Sequence, residues 1–190
     1  GAFGFAILFG GGLADALCSG LCGIIIGLIN RLMEKLGANQ FFRIITAAFV
    51  MALPAYGMAA LGLAPNPDAV VIGALMILVP GLLFTNAMRD IIYGDTNSGI
   101  NRIVQVMLTA IAIALGTAVA WSFLNNLLPI PASAPGIDYS VFSHAIFSFV
   151  GCMGFAILFN IHDLGVIICA FGATFTWIIF CICEHFTGSA

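Results

Sequence analysis

Charge is what this sequence has least of: five Lys or Arg and eight Asp or Glu, 7% of 190 residues, where a soluble domain carries roughly 25%. That shortage excludes an ordinary water-facing surface. With 62% apolar residues and a mean hydropathy of +1.17, the chain reads as an integral membrane protein. No basic run is present and the net charge is −3, so neither a nucleic-acid surface nor an anionic-lipid patch is expected. The sequence also lacks GxSxG, HExxH and P-loop motifs, and its aspartates sit at the ends of apolar runs rather than paired within them, which leaves an intramembrane enzyme without support. The six cysteines lie in or at the ends of apolar segments and act as small apolar residues. Cys18 with Cys22 and Cys181 with Cys183 have no further ligand nearby except His185, so no metal and no cofactor is expected. There is no charged leader, and the opening at Gly1 in mid-run reads as a fragment of a longer protein.

What is present is a series of apolar runs broken by polar or Pro/Gly punctuation. At ~20 residues per crossing, they predict an all-α, polytopic membrane helical bundle with seven spans. The first is a short one over 1–9, followed by spans at about 13–32, 41–63, 68–88, 103–124, 140–160 and 164–183. The stretch NNLLPIPASAPGIDY, 125–139, has three prolines and no periodicity, so it is the expected boundary. It separates a first five-span module, 1–124, from the first two spans of a second, 140–190. Lys and Arg occur only around two connections, Arg31, Lys35 and Arg43 in one and Arg89 and Arg102 in the other. By the positive-inside rule both connections are cytoplasmic.

Gly1–Phe9 and Gly151–Phe159 are identical at seven of nine positions, at a constant offset of 150. If the second copy opens a repeat of five spans, the odd number inverts it relative to the first. Inverted five-span repeats belong to secondary transporters, with the substrate site near the repeat interface.

The stretch from Val79 to Arg102 carries the chemistry. Pro80 removes a helix hydrogen bond and Gly81 eases departure from helical angles, so a kinked or broken fourth span is expected, with carbonyls freed near Met76 and Ile77. If the helix then resumes, Thr85, Asn86, Arg89 and Asp90 fall on one side. A guanidinium fork suits a substrate carboxylate, and Asp90 or Asp95 suits an amino group or a proton. The plainer reading makes this a cytoplasmic turn at Gly94-Asp95, with Asn97 or Ser98 capping the next span. On the second span Asp15, Ser19, Gly23, Gly27 and Arg31 recur every fourth residue. The glycines read as packing, while Asp15 is open between an interfacial cap and a carboxylate lining the path. Asn160, His162 and Asp163 form a short polar link on the inward side, read as solvated, as are His144 and His185 near span ends. Trp121 and Trp177 read as packing or interfacial aromatics.

The segment Pro65 to Arg102 resembles the signature region of the threonine/serine exporter family. It matches at Gly73 to Met76, Leu78 to Gly81, Thr85 to Ala87, Arg89, Asp90, Gly94, Asp95, Ser98, Gly99 and Arg102. GFAILFGG and GFAILFN look like the openings of that family's two membrane modules. The resemblance implies ten spans in two five-span modules, fused or made as two subunits, in the inner (cytoplasmic) membrane. It further implies proton-driven export of small amino acids, with threonine and serine as the default, and small dicarboxylates or a non-transporting structural subunit as the alternatives. The expected partners are therefore a small amino acid or carboxylate, a proton, the bilayer, and a second membrane subunit or a further copy of the chain. On this reading Pro80 and Gly81 are expected to make the break, Thr85, Asn86 and Arg89 to receive the carboxylate, and Asp90 or Asp95 to take the amine or the proton. Ser98 and Arg102 are expected at the same gate, and Asp15, Ser19 and Asn160 are candidates for lining the path.

Overall fold

A computed structural model describes residues 1–137 and 139–187; the side chains of Glu184 and His185 lie outside the described residues. The described chain is helical: α1 (Ala2–Leu8), α2 (Leu13–Lys35), α3 (Gln40–Ala60), α4 (Pro67–Leu75), α5 (Gly81–Ile92), α6 (Thr96–Leu127), α7 (Val141–Leu158) and α8 (Leu164–Thr187). Five of them, α2, α3, α6, α7 and α8, are long and apolar enough to cross a membrane. The other three are short for that purpose. The predicted fourth span is present as two helices, α4 and α5, with residues 76–80 between them.

Helix ends follow local chemistry. Asn39 accepts from the Phe41 amide at 3.1 Å at the start of α3. Asn66 accepts from Ala69 at 3.1 Å at the start of α4, with Pro67 at the first helical position. Asp95 and Ser140 do the same for α6 and α7. At the far ends, a residue with positive φ reverses the chain after α1, α2 and α3: Gly10, Gly37 and Gly62, at φ of 80, 67 and 75°. After α7 the same role falls to Asn160 at 59°. Each of the four ends is closed by a pair of backbone bonds of the Schellman type, Gly37 N–H to Glu34 O and Ala38 N–H to Met33 O in the case of α2.

The chain packs as two compact units, and α2 and α3 contribute to both. The first holds residues 1–23 and 55–77 and the chain from Ile130 on. Here α1 lies against α4 and α7, and α7 against α8. Contacts between helices are made by small residues, as expected where lipid supplies little drive for association and close backbone approach supplies the attraction. A Cβ on Gly73 of α4 would stand 2.7 Å from the Ala6 amide nitrogen of α1, so only glycine fits. Ile7 and Ala16 are fully buried beside Ala6, with Phe3, Tyr139 and Phe147 packed around them.

In the second unit, residues 24–54 and 78–129, α5 lies against α6 and α6 against α3. Thr109, Ala112, Gly116 and Ala120 are the buried residues of α6 at helical spacing. A Cβ on Gly116 would come within 2.6 Å of the Ile45 carbonyl oxygen.

The remaining faces are apolar and outward. Leu13, Leu17, Leu21, Ile24, Leu28 and Leu32 make one exposed stripe along α2, each more than half exposed. Their spacing of three or four residues suits a face laid against lipid. Of the two glycines on the opposite stripe, Gly23 packs against Ile77 and Ala2, whereas Gly27 meets nothing within 4 Å.

Candidate functional site

The break in the fourth span follows from Pro80. Helix α4 closes with Met76 N–H bonded to Ile72 O and Ile77 N–H to Ala74 O. A tight Gly81 N–H to Val79 O bond at 2.9 Å precedes α5, whose N-cap is Pro80 at φ −81° and ψ 53°. Proline supplies no amide there and cannot extend α4. Among the described residues no backbone amide bonds the carbonyls of Met76, Ile77 or Leu78.

Downstream, α5 and α6 are joined by a turn of three residues, with Gly94 at φ 92°. The turn is closed by Asp95 N–H to Asp90 O at 2.9 Å. Asp90 is the hub of the side chains that meet here. Its carboxylate receives Arg102 Nη1 on Oδ2 at 3.2 Å, Arg89 Nη2 on Oδ1 at 3.6 Å, and the Ser98 hydroxyl on Oδ2 at 3.3 Å. Asp90 is only 14% exposed, Arg102 36% and Arg89 61%. Two guanidiniums and a hydroxyl thus supply the partners that water would otherwise give so enclosed a carboxylate. Arg89 makes the longer contact and keeps most of its five donors facing outward.

Asp95 has a different job: its Oδ1 accepts from the Ser98 amide at 3.3 Å and caps α6. Gly99 lets the two helices converge, since a Cβ there would run into Ile91 and lie 2.9 Å from the Ala87 carbonyl. Thr85 donates its hydroxyl to Gly81 O at 3.0 Å, one turn back. Asn86 is half-buried, and its amide makes no hydrogen bond among the described residues. Of the residues named from sequence, Arg89, Asp90, Asp95, Ser98 and Arg102 thus form one bonded group, and Pro80, Gly81, Thr85 and Asn86 lie on the segment leading into it.

The polar residues of the first unit are tied into its architecture. Asp15, 2% exposed, accepts from the Gly12 amide at 2.8 Å and, on its other oxygen, from the Asn66 amide at 3.1 Å. One carboxylate therefore joins the start of α2 to the start of α4. Ser19 is fully buried and donates to the Ala2 carbonyl at 3.3 Å. Asn160 holds the left-handed position after α7. Sequence reasoning passed over Asn66, although Asn-Pro-Asp ahead of an apolar run is a helix-start signal. It also passed over the ties of the linker to its own unit. Ser133 donates to Asp68, Tyr139 Oη to the Gly11 carbonyl at 3.1 Å, and the Ala134 and Ile137 amides to Pro65 and Gly10 carbonyls.

Five apolar helices of crossing length, with exposed apolar faces, define a multi-pass helical membrane protein. Residues 1–124 match the family described as "Putative threonine/serine exporter" (ThrE). The chain belongs to the threonine/serine exporter family. A curated relative, "Probable threonine/serine exporter" of Mycobacterium tuberculosis (strain ATCC 25618 / H37Rv), is 23% identical over 125 residues, which is 66% of this chain and 23% of the relative. The chain therefore spans about a quarter of that relative's length. No solved structure matches it.

Proposed function

We propose that this chain supplies the first five-span module, 1–124, a linker, 125–139, and the opening spans of a second module, from 140 on, of a secondary transporter. It exports small amino acids, threonine and serine first among them, across the cytoplasmic membrane against an inward flow of protons. The observation that carries the reading is the helix broken at Pro80-Gly81 that runs directly into the Asp90-centred group, all within the residues matched to the family. Broken helices are how transporters present backbone polar groups to a substrate without exposing them to lipid.

In this reading, Arg31 to Arg43 and Arg89 to Arg102 face the cytoplasm, which puts the Asp90 group at the inner mouth. Arg89 receives the substrate carboxylate, because its fork is the most exposed of the group and the least committed to Asp90. Thr85 and Asn86, one turn earlier on α5, supply the next hydrogen bonds along the path. Asp90 holds the gate with Arg102 and Ser98, and either Asp90 or Asp95 exchanges the proton. Asp15 and Ser19 hold the starts of α1, α2 and α4 in register within their own unit.

The test uses the full-length protein in proteoliposomes. Arg89→Ala removes the carboxylate fork and is expected to abolish threonine export while leaving expression and folding intact. Asp95→Asn keeps a good helix cap, Asn being about as effective there as Asp, yet removes the charge. Export left unchanged by both variants at normal protein level would refute the assignment.

A further inference from the structure

The two copies of the GFAILF segment share more than sequence. Helices α1 and α7 end on equivalent residues, Phe9 at φ −91° and ψ 23° and Phe159 at φ −84° and ψ 13°. Both are closed by the same bonds: Gly10 to Ile7 and Asn160 to Ile157 at 3.0 Å, Gly11 to Ala6 and Ile161 to Ala156 at 2.9 Å. Phe5 and Phe9 are tilted by 32° at 6.5 Å, and Phe155 and Phe159 by 35° at 6.0 Å.

The two copies also touch each other, within one compact unit, and the contact maps onto itself. A Cβ on Gly4 would lie 2.8 Å from Gly151 Cα; at the equivalent pair, a Cβ on Gly154 would lie 3.2 Å from Gly1 Cα. The Phe5 ring covers the Cβ position of Gly151 at 3.4 Å, and the Phe155 ring covers that of Gly1 at 3.3 Å. Phe5 and Phe155, equivalent to each other, meet edge to face at 5.0 Å and 89°. The two glycine contacts exchange with one another, and so do the two ring-on-glycine contacts, when the copies are exchanged, as in a two-fold, isologous interface. The pairing of 4 with 151 and 1 with 154 makes the helices antiparallel, as an inverted repeat demands.

We infer that a pseudo-two-fold axis passes beside the Phe5–Phe155 pair and that the α1–α7 crossing is the fixed pivot of transport. The argument is geometric. In a transporter of two inverted repeats, the inward-open and outward-open states interconvert by exchanging the conformations of the repeats. Contacts that map onto themselves under that exchange are the same in both states, whereas gates are not. Glycine at 4, 151 and 154 permits the backbones to meet at the axis, where a small contact area turns without sliding.

The assignment of a pivot rests on the transporter reading; the symmetry of the contact does not. The test places Phe5→Cys and Phe155→Cys together in the full-length protein with its native cysteines replaced, and bridges them with a short, reducible bifunctional thiol reagent. The bridged protein is expected to export threonine within about twofold of the reduced form, since a contact shared by both states costs nothing to lock. Failure to bridge, or a loss of more than about tenfold restored by reductant, overturns the pivot. A folded, reduced protein that exports nothing refutes the transporter reading instead. Gly4→Ala and Gly154→Ala provide a measurement independent of transport and of the double variant's folding. Both occupy equivalent places, so equal losses in Tm are expected, and destabilisation by only one of them overturns the symmetry.

Discussion

Replacing Asp15 tests whether a buried carboxylate at a helix start acts as a structural tie. Its two oxygens take two separate backbone amides, Gly12 at 2.8 Å and Asn66 at 3.1 Å, the second from a residue 51 positions away. Asp15→Ala strands both amides in a site that is 2% exposed. A stranded buried donor costs about 1–3 kcal/mol, so two cost about 2–6 kcal/mol. Removing a buried polar group recovers part of this, so the expected net loss is about 1–3 kcal/mol. Asp15→Asn keeps one acceptor and turns an N–H toward the other amide, so it falls between wild type and Asp15→Ala. Thermal unfolding in detergent, followed by the monodisperse fraction on size exclusion, reads the order wild type, Asn, Ala. Export per folded molecule reads the role: a tie leaves it near normal in Asp15→Asn, whereas a path-lining carboxylate does not. An Asp15→Ala protein as heat-stable as wild type would refute the reasoning.

Two further substitutions follow from the same geometry. Gly73→Ala drives a methyl into the Ala6 backbone at 2.7–2.8 Å and is expected to lower stability by about 1–3 kcal/mol, the range for overpacking; an unchanged Tm would mean that α1 and α4 are not in backbone contact. At the α5–α6 turn, Asp95→Ala is expected to cost about 0.5–2 kcal/mol through loss of the cap, while Asp95→Asn stays near wild type in Tm. Equal Tm values for the two variants would show that Asp95 does not cap α6.

The fold was legible in the sequence where the signal is local. Apolar runs located five crossing helices, and Pro80-Gly81 located the break to within a few residues, because proline acts on the turn it occupies. The α5–α6 turn was legible as a turn, but its capping residue was not: Asn97, Ser98 and Asp95 are all good caps, and only the start of α6 at Thr96 selects Asp95. The convergence of Arg89, Ser98 and Arg102 on Asp90 was half visible. Helical spacing brings Arg89 and Asp90 to one end of α5, whereas the approach of Arg102 depends on how closely α6 packs, which Gly99 decides. Asp15 shows the opposite limit. Its amide partner at Asn66 lies across a tertiary contact, so no local pattern distinguishes a tie from a path-lining group. The recurrence of GFAILF was plain in the sequence, but that its two copies touch is a property of packing alone.

The most direct test of the central claim is counterflow in proteoliposomes containing the full-length protein, with threonine, serine and a small dicarboxylate offered in parallel. The account predicts uptake of labelled threonine or serine against an unlabelled internal pool, stimulated by a proton gradient and lost in Arg89→Ala. Absence of amino-acid counterflow by folded protein, or counterflow that Arg89→Ala leaves intact, would contradict it.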